Sequence, residues 1–463
     1  MTLIKSISGI RGTIGKEKGD NLTPEDIVKF TSAYAIWAKQ QSGSRYVKVV
    51  VGRDARPSGD MVYRMVSGTL MAMGIDVVNL DLATTPTVEM AVAAEGAQGG
   101  IILTASHNPV QWNALKLLND RGEFLNKEEG EEILRIADKQ DIEYAPVDKL
   151  GEENRKGEYL DYHIQKILEL PQVNVEEISS TGFRVVVDGI NSVGGIAVPE
   201  LLRKLGVKEV IEVNCNPDGH FAHNPEPIPE NLTGMREEIR KNDADLGFVV
   251  DPDVDRLAIV DENGSMFGEE YTLVAVADYI LQQKPGNTVS NLSSTKALRE
   301  LTEKYGGSYY PSAVGEVNVV GKMKEVQAII GGEGNGGVIL PDLHYGRDAL
   351  VGIALFLTHL ARSGVSCSAL RKRYPFYHIT KNKIQLTPDI DVDNILSRLK
   401  KQYADYPVND VDGVRIEFQE GWVHLRKSNT EPIIRVYSEG KDKDTAEELA
   451  SGIFNAVDKI LQK

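Results

Sequence analysis

Three aspartates alternate in Asp251-Pro252-Asp253-Val254-Asp255-Arg256. The apolar runs on either side, Gly247 to Val250 and Leu257 to Val260, are strand-like. In an extended segment alternate residues share a face. Three carboxylates on one face repel, and a hard divalent cation relieves the repulsion. An acidic solvated loop is the alternative, but charge set between apolar runs is costly to leave unpaired. An EF-hand is excluded. Asp251, Asp253, Asp255 and Glu262 fall at its ligand positions, yet Arg256 stands where the turn needs glycine, and the flanks are strands.

A hydroxyl is the second group. Gly99-Gly100-Ile101-Ile102-Leu103 reads as a buried strand that breaks into Thr104-Ala105-Ser106-His107-Asn108-Pro109. Strand ends of this kind in α/β proteins display reactive groups, and Ser106 is the hydroxyl on show. A lone serine there would read as a turn or cap residue. With Ser106 as a fourth oxygen donor, the three carboxylates suit Mg²⁺.

Arg426, Ser428, Asn429 and Thr430 lie in a loop between two strands, with Arg435 downstream. A guanidinium, hydroxyls, an amide and loop N–H groups make a cradle for a phosphate dianion; a polar turn is the bland reading. Gly332 to Gly337 holds one acid, Glu333, and one amide, Asn335, in a loop otherwise free of side chains. It reads as a sugar-binding loop or as a linker. Nucleophile, metal cage, Gly-rich loop and anion cradle together suggest phosphoryl transfer on a polar small molecule.

The elements that must position these groups recur. Thr23-Pro24-Glu25-Asp26 starts a helix. Tyr46 to Val51, a helix to Met73 stopped by Gly74, and Ile75 to Leu80 make a strand–helix–strand unit, hence parallel pairing. The Arg/Asp-rich loop between them, Gly52 to Gly59, could bind substrate or be locked by internal Arg–Asp pairs, and the structural role is the favoured reading. The layout returns at Phe183 to Val213, whose Gly189-to-Gly195 turn is a weak phosphate-loop candidate, and again at Thr288 to Tyr310. Three rounds of one topology suggest three related α/β domains, residues 1–150, 151–258 and 259–373. From Tyr374 the order changes to that of a separate α+β domain, 374–463.

Composition bounds the rest. The 463 residues suffice for several domains at about 100–200 residues each. A net charge of −16 argues against a nucleic-acid surface, which needs a basic footprint. The two cysteines, Cys215 and Cys367, stand in no ligand spacing, so neither zinc nor a disulfide framework is indicated. No run reaches the ~18 apolar residues of a membrane span, and no signal peptide opens the chain, so a cytoplasmic location is expected.

Taken in order, these stretches resemble the α-D-phosphohexomutase superfamily over nearly the whole chain. Thr104 to Pro109 resembles its phosphoserine loop and Asp251 to Arg256 its metal loop. Gly332 to Gly337 resembles its sugar loop and Arg426 to Thr430 its phosphate loop. The resemblance implies four domains around a central cleft. It implies a phosphate carried on Ser106, passed to the sugar to give a 1,6-bisphosphosugar, and returned from its other end. Asp251, Asp253, Asp255 and phospho-Ser106 would hold Mg²⁺. Arg11, otherwise a surface cation, would line the reaction centre with His107, Lys116 and Arg256, and Lys116 would serve as acid and base. Glu333 and Asn335 would take sugar hydroxyls; Arg426, Ser428, Asn429, Thr430 and Arg435 would hold the non-reacting phosphate. A bisphosphosugar would activate the enzyme, and its state would be monomer or homodimer.

Arg426-Lys-Ser-Asn-Thr-Glu-Pro-Ile-Ile-Arg435 resembles the phosphoglucosamine mutase version of that loop, which favours glucosamine phosphate over glucose or mannose phosphate. Bacterial members of that branch usually carry Gln-Ser-Gly-His after the sugar-loop Glu; here Asn335 replaces the Ser and Gly337 the His. Two rivals stand apart. A serine hydrolase lacks its Gly-x-Ser-x-Gly here, and His107 is adjacent in sequence. A non-catalytic sugar-phosphate sensor should have lost Ser106 or an aspartate of the triad, and all are intact.

Overall fold

The computed structural model describes residues 2–6, 9–15, 19–43, 46–139, 141–385, 391–428 and 433–461. They form two compact units, residues 1–279 with 335–368 and residues 280–334 with 369–463.

The first unit opens with a sheet of β1 (Ile4–Ser6), β2 (Gly9–Thr13), β3 (Lys48–Arg53), β4 (Asp76–Leu82), β5 (Gly100–Leu103), β6 (Trp112–Leu118) and β7 (Glu153–Arg155). The strand order is β1-β2-β6-β5-β3-β4-β7. β5, β3, β4 and β7 run parallel, while β1, β2 and β6 add antiparallel strands. The Pro24–Ser42 helix starts where Thr23 and Asp26 cap each other's backbone reciprocally, and ends at Gly43 in the left-handed region. It buries Phe30, Tyr34 and Trp37 on the sheet. The Tyr34 hydroxyl donates to Leu118 O at 2.7 Å, tying the helix to β6.

A second sheet holds β8 (Arg184–Asp188), β9 (Glu209–Val213), β10 (Leu246–Val250) and β11 (Leu257–Asp261), in the order β11-β10-β8-β9. β10 and β11 form an antiparallel hairpin, closing with Val250 opposite Leu257. The three aspartates stand at its tip.

In the second unit β12 (Thr288–Asn291) lies between β13 (Tyr309–Ser312) and β14 (Ile330–Glu333), all parallel. The chain returns to the first unit with β15 (Gly337–Ile339) and the Ala349–Ser363 helix. That helix is apolar all round and buried from Ala349 to Leu360, as a helix without a polar face must be.

The last sheet is antiparallel: β16 (His378–Gln385), β17 (Val408–Asn409), β18 (Val414–Glu417), β19 (Gly421–Lys427) and β20 (Ile433–Gly440), ordered β16-β20-β19-β18-β17. The Val392–Gln402 and Lys443–Leu461 helices pack Ile395, Leu399, Ile453 and Val457 into its core. Inside the second unit, buried Arg415 donates to Leu292 O at 2.5 Å and to Glu417 at 2.9 Å, and stacks 4.1 Å from the Trp422 ring. Among the described residues no helix is long and apolar enough to cross a membrane.

Candidate active site

β5 ends in the serine loop. Ser106 itself sits at φ +48°, in the left-handed region that costs a non-glycine residue free energy. The surroundings hold it there. Thr104 Oγ1 accepts from the Ser106 amide at 2.9 Å and donates to Asp54 at 2.6 Å. Fully buried Arg56 pairs with Asp54 at 2.8 Å and turns its remaining donors onto four loop carbonyls: Ser106, Asn108 (2.8 Å), Pro109 (2.7 Å) and Trp112 (3.1 Å). The Gly52-to-Gly59 loop is thus a clamp on the serine loop. The Gly189-to-Gly195 turn is a brace too: Ser192 Oγ donates to Pro252 O at 2.7 Å and accepts from the Ala55 amide at 3.3 Å.

The aspartates do not converge by strand alternation. The tip of the hairpin is a turn, in which Asp251 Oδ1 accepts from the amides of Asp255 (3.1 Å) and Arg256 (3.2 Å). Val254 is forced to φ +64° with its side chain fully buried. This curl, instead of an extended ribbon, places ligand atoms of all three carboxylates within 4.8 Å of one another, at 0 % exposure. The Ser106 hydroxyl donates to Asp251 Oδ2 at 2.7 Å, and His107 Nδ1 lies 3.4 Å from the same hydroxyl.

Each carboxylate is held by one oxygen or both. Asp253 Oδ2 accepts from Thr85 at 2.6 Å and from the Lys116 ammonium at 2.7 Å; Asp255 Oδ2 accepts from Arg347 at 2.6 Å. Asp253 Oδ1 and Asp255 Oδ1 are buried with no hydrogen-bond partner among the described residues. Buried anionic oxygens left bare are costly. A hard divalent cation is the group these oxygens fit. Glu262 accepts from Ser368 instead, at 3.0 Å from its amide.

Charge follows geometry. Burial, with Asp255 and Asp253 beside it, pushes the Asp251 carboxyl well above its ordinary value. Burial pushes Asp253 the same way, but Lys116 and Thr85 outweigh it and hold it below. Lys116 is driven up, because Asp253 and Asp255 overcome its desolvation, so it is firmly an ammonium. His107 is held well below the usual range by the Arg256 guanidinium first and burial second, with Arg347 and Arg11 adding to both; it is a neutral imidazole. Arg256 Nε stands 3.7 Å from Asp255 Oδ1. Arg11, on β2, and Lys116, on β6, come from neighbouring strands. Ser106, His107, Lys116, the triad, Arg256 and Arg11 all belong to the first unit.

Asn335 is also in the first unit, where its Oδ1 accepts from the Gly337 amide at 3.3 Å. Glu333 ends β14 in the second unit; one oxygen accepts from Asn291 at 2.7 Å and from the Gly315 amide at 3.0 Å. Arg426 and Arg435 face each other across β19 and β20, and Lys383 is Arg435's partner on β16. Lys383, Arg435 and Arg426 therefore stand in one cross-strand row. Ser428 is buried beside them, with its amide donating to Ile433 O at 3.0 Å. Asn429 and Thr430 lie outside the described residues. Sequence reasoning missed Arg56, Thr85, Arg347 and Lys383. Arg56 carried a signal, through the Arg–Asp pattern of its loop, and Lys383 a faint one, through the alternation of Lys381 and Lys383; Thr85 and Arg347 carried none.

Four family descriptions match the chain in order: the phosphoglucomutase/phosphomannomutase alpha/beta/alpha domains I (residues 3–143), II (159–264) and III (268–377), and the C-terminal domain (386–456). A Thermococcus kodakarensis protein named phosphoglucomutase/phosphomannomutase is 36% identical over 95% of each chain. A Methanopyrus kandleri protein named probable phosphoglucosamine mutase is 35% identical over 98% of each. The crystal structure of a phosphoglucomutase/phosphomannomutase family protein from Burkholderia thailandensis is similar at a TM-score of 0.85 and 26% identity, over 97% of this chain and 96% of that one.

Proposed function

Because the chain belongs to the phosphoglucomutase/phosphomannomutase family, we propose that it interconverts glucosamine-6-phosphate and glucosamine-1-phosphate. The broader activity is the family's: the chain is a phosphohexomutase, an isomerase acting on a sugar phosphate. The observation that carries the proposed chemistry is the Ser106 hydroxyl at 2.7 Å from a buried triad with two bare carboxylate oxygens.

In the proposed cycle Ser106 carries a phosphoryl group. A sugar hydroxyl attacks phosphorus, the bond to Ser106 Oγ breaks, and the hydroxyl proton ends on Oγ. Lys116, an ammonium beside this centre, is the group that relays that proton, donating to one oxygen and recovering from the other. The bisphosphosugar then presents its other phosphate, and the same exchange runs backward. His107, neutral and 3.4 Å from Oγ, orients the serine oxygen without adding charge. Arg256 and Arg11 face the developing phosphoryl charge. Asp251, Asp253, Asp255 and phospho-Ser106 would hold Mg²⁺, which when bound neutralises phosphoryl oxygens. Glu333 and Asn335 are assigned to sugar hydroxyls. The cation row Lys383–Arg435–Arg426, with Ser428, is assigned to the distal phosphate.

The amino sugar is favoured by the phosphate-loop sequence and by the name of the Methanopyrus kandleri relative. The Thermococcus kodakarensis relative favours the second reading, neutral hexose phosphates. The deciding assay offers glucosamine-6-phosphate, glucose-1-phosphate and mannose-1-phosphate side by side with Mg²⁺ and a trace of bisphosphosugar, with Ser106→Ala as control. Preference for the amino sugar, abolished in the variant, is expected. Preference for a neutral sugar overturns the substrate assignment, and activity surviving in Ser106→Ala overturns the mechanism.

A further inference from the structure

Within the triad, Asp251 is held by a hydroxyl and two amides, and Asp253 by Thr85 and Lys116. Asp255 has Lys116 3.6 Å from Oδ2 and Arg256 3.7 Å from Oδ1, both beyond hydrogen-bond distance; its close side-chain donor stands 92 positions away, Arg347, whose Nη2 donates to Oδ2 at 2.6 Å and whose side chain is 9% exposed. We propose that Arg347 is a positioning residue for the cation site: it grips Asp255 by one oxygen so that the other, Oδ1, faces the cation. Gly337, on this view, lacks a side chain because the arm of Arg347 occupies its place.

The backbone around Arg347 is built to hold it still. The next residue, Asp348, caps the Ala349–Ser363 helix with Oδ1, accepting from the Leu350 amide at 2.8 Å. Its Oδ2 accepts from His163 at 2.8 Å and from His344 at 3.3 Å. The Asp348 amide donates to Val338 O at 2.8 Å, and the Ala349 amide to Val254 O at 3.2 Å, inside the acidic turn itself. Arg347 therefore emerges from a segment fastened both to β15 and to the loop whose carboxylate it grips. The aliphatic part of its side chain runs directly over Gly337. A Cβ there would stand 2.4 Å from Arg347 Cδ and 3.0 Å from Cγ. No side chain at 337 is compatible with this path for the guanidinium.

The electrostatics alone argue in the opposite direction. A guanidinium beside a cation site repels the cation, and its charge already depresses His107 and opposes Lys116. Its retention at 2.6 Å from Asp255 is explained by geometry: a buried carboxylate with both oxygens bare swings, whereas one pinned by a planar donor offers a single oxygen in a set direction. Arg347 does for Asp255 what Thr85 and Lys116 do for Asp253, leaving one bare oxygen on each.

The role rests on the triad being a cation site, as assigned above. The test measures Mn²⁺ binding to the unphosphorylated full-length protein by electron paramagnetic resonance, for wild type, Arg347→Met, Arg347→Lys and Gly337→Ala. Arg347→Met should weaken Mn²⁺ binding about 10–100-fold, the usual range for residues that orient a metal ligand. Arg347→Lys should restore part of it. Gly337→Ala, which keeps the arginine but displaces its arm, should weaken binding in the same direction and covers the case in which Arg347→Met does not fold. In steady state, kcat should fall while KM for the sugar phosphate stays within about threefold of wild type. Unchanged or tighter Mn²⁺ binding in both Arg347→Met and Gly337→Ala overturns the proposal, as does a rise in sugar-phosphate KM with metal affinity intact. A wild type that binds no Mn²⁺ overturns the cation assignment itself.

Discussion

Arg56→Lys keeps a positive charge beside Asp54 and removes the fork that holds the serine loop. The wild-type side chain makes five hydrogen bonds, one to Asp54 and four to the carbonyls of Ser106, Asn108, Pro109 and Trp112. An ammonium has three donors. With one kept on Asp54, at least two of the four carbonyls lose their donor; the contact to Ser106 is buried and the other three are part-buried. A buried group left unsatisfied costs ~1–3 kcal/mol and a part-buried one less, so the loop's ordered state loses about 2 kcal/mol. At about 1.4 kcal/mol per tenfold, kcat/KM should fall about 30-fold. Hydrogen exchange read in parallel should show faster exchange across residues 104–112 and no change in the Pro24–Ser42 helix. Activity within about threefold of wild type, with exchange in the loop unaltered, would refute the clamp.

Two further expectations concern the second unit. His424, buried and bonded to Ser293 Oγ at 3.0 Å and Asp412 O at 2.6 Å, is pushed by burial from 6.5 to about 3. Below the unfolded value the unfolded chain takes up a proton that the folded one refuses. Stability attributable to this residue is therefore complete above about pH 6.5 and declines by about 1.4 kcal/mol per pH unit as pH falls toward 3. Unfolding curves of wild type and His424→Asn at pH 7, 6 and 5 should show wild type losing stability faster; parallel profiles would contradict this. Arg415→Met should destabilise the second unit by about 2–4 kcal/mol, because it leaves the buried carbonyls of Leu292 and Ser294 without a donor, while Glu417 keeps Arg299 at 2.9 Å. Thermal denaturation of the full chain measures it, and a change under about 1 kcal/mol would count against Arg415's structural role.

Much of this was legible from local pattern. Thr23-Pro24-Glu25-Asp26 is self-capping chemistry, and Gly74 sits where a helix must stop, so these boundaries follow from neighbours alone. The apolar runs that became β3, β5, β8 and β10 are short and bounded by turn residues, which states their type without reference to the rest of the chain. Ser106 and the three aspartates were legible because their side chains are costly where apolar strands place them, unless they are used.

The convergence of those groups was another matter. Alternation suggested an extended ribbon, but Asp251 capping the amides of Asp255 and Arg256, and Val254 held at φ +64°, curl it into a turn. No propensity favours a left-handed valine; burial on all sides enforces it. Arg56 and Arg347 act across 50 and 92 positions, and Arg415 across 123, where spacing carries no information. The composition and local order of the chain determined which strands and helices form and which polar groups stand at the ends of apolar strands. Only the tertiary structure decided which carboxylate oxygens are tied and which are bare, because that depends on donors brought in from distant strands to pay for burying charge.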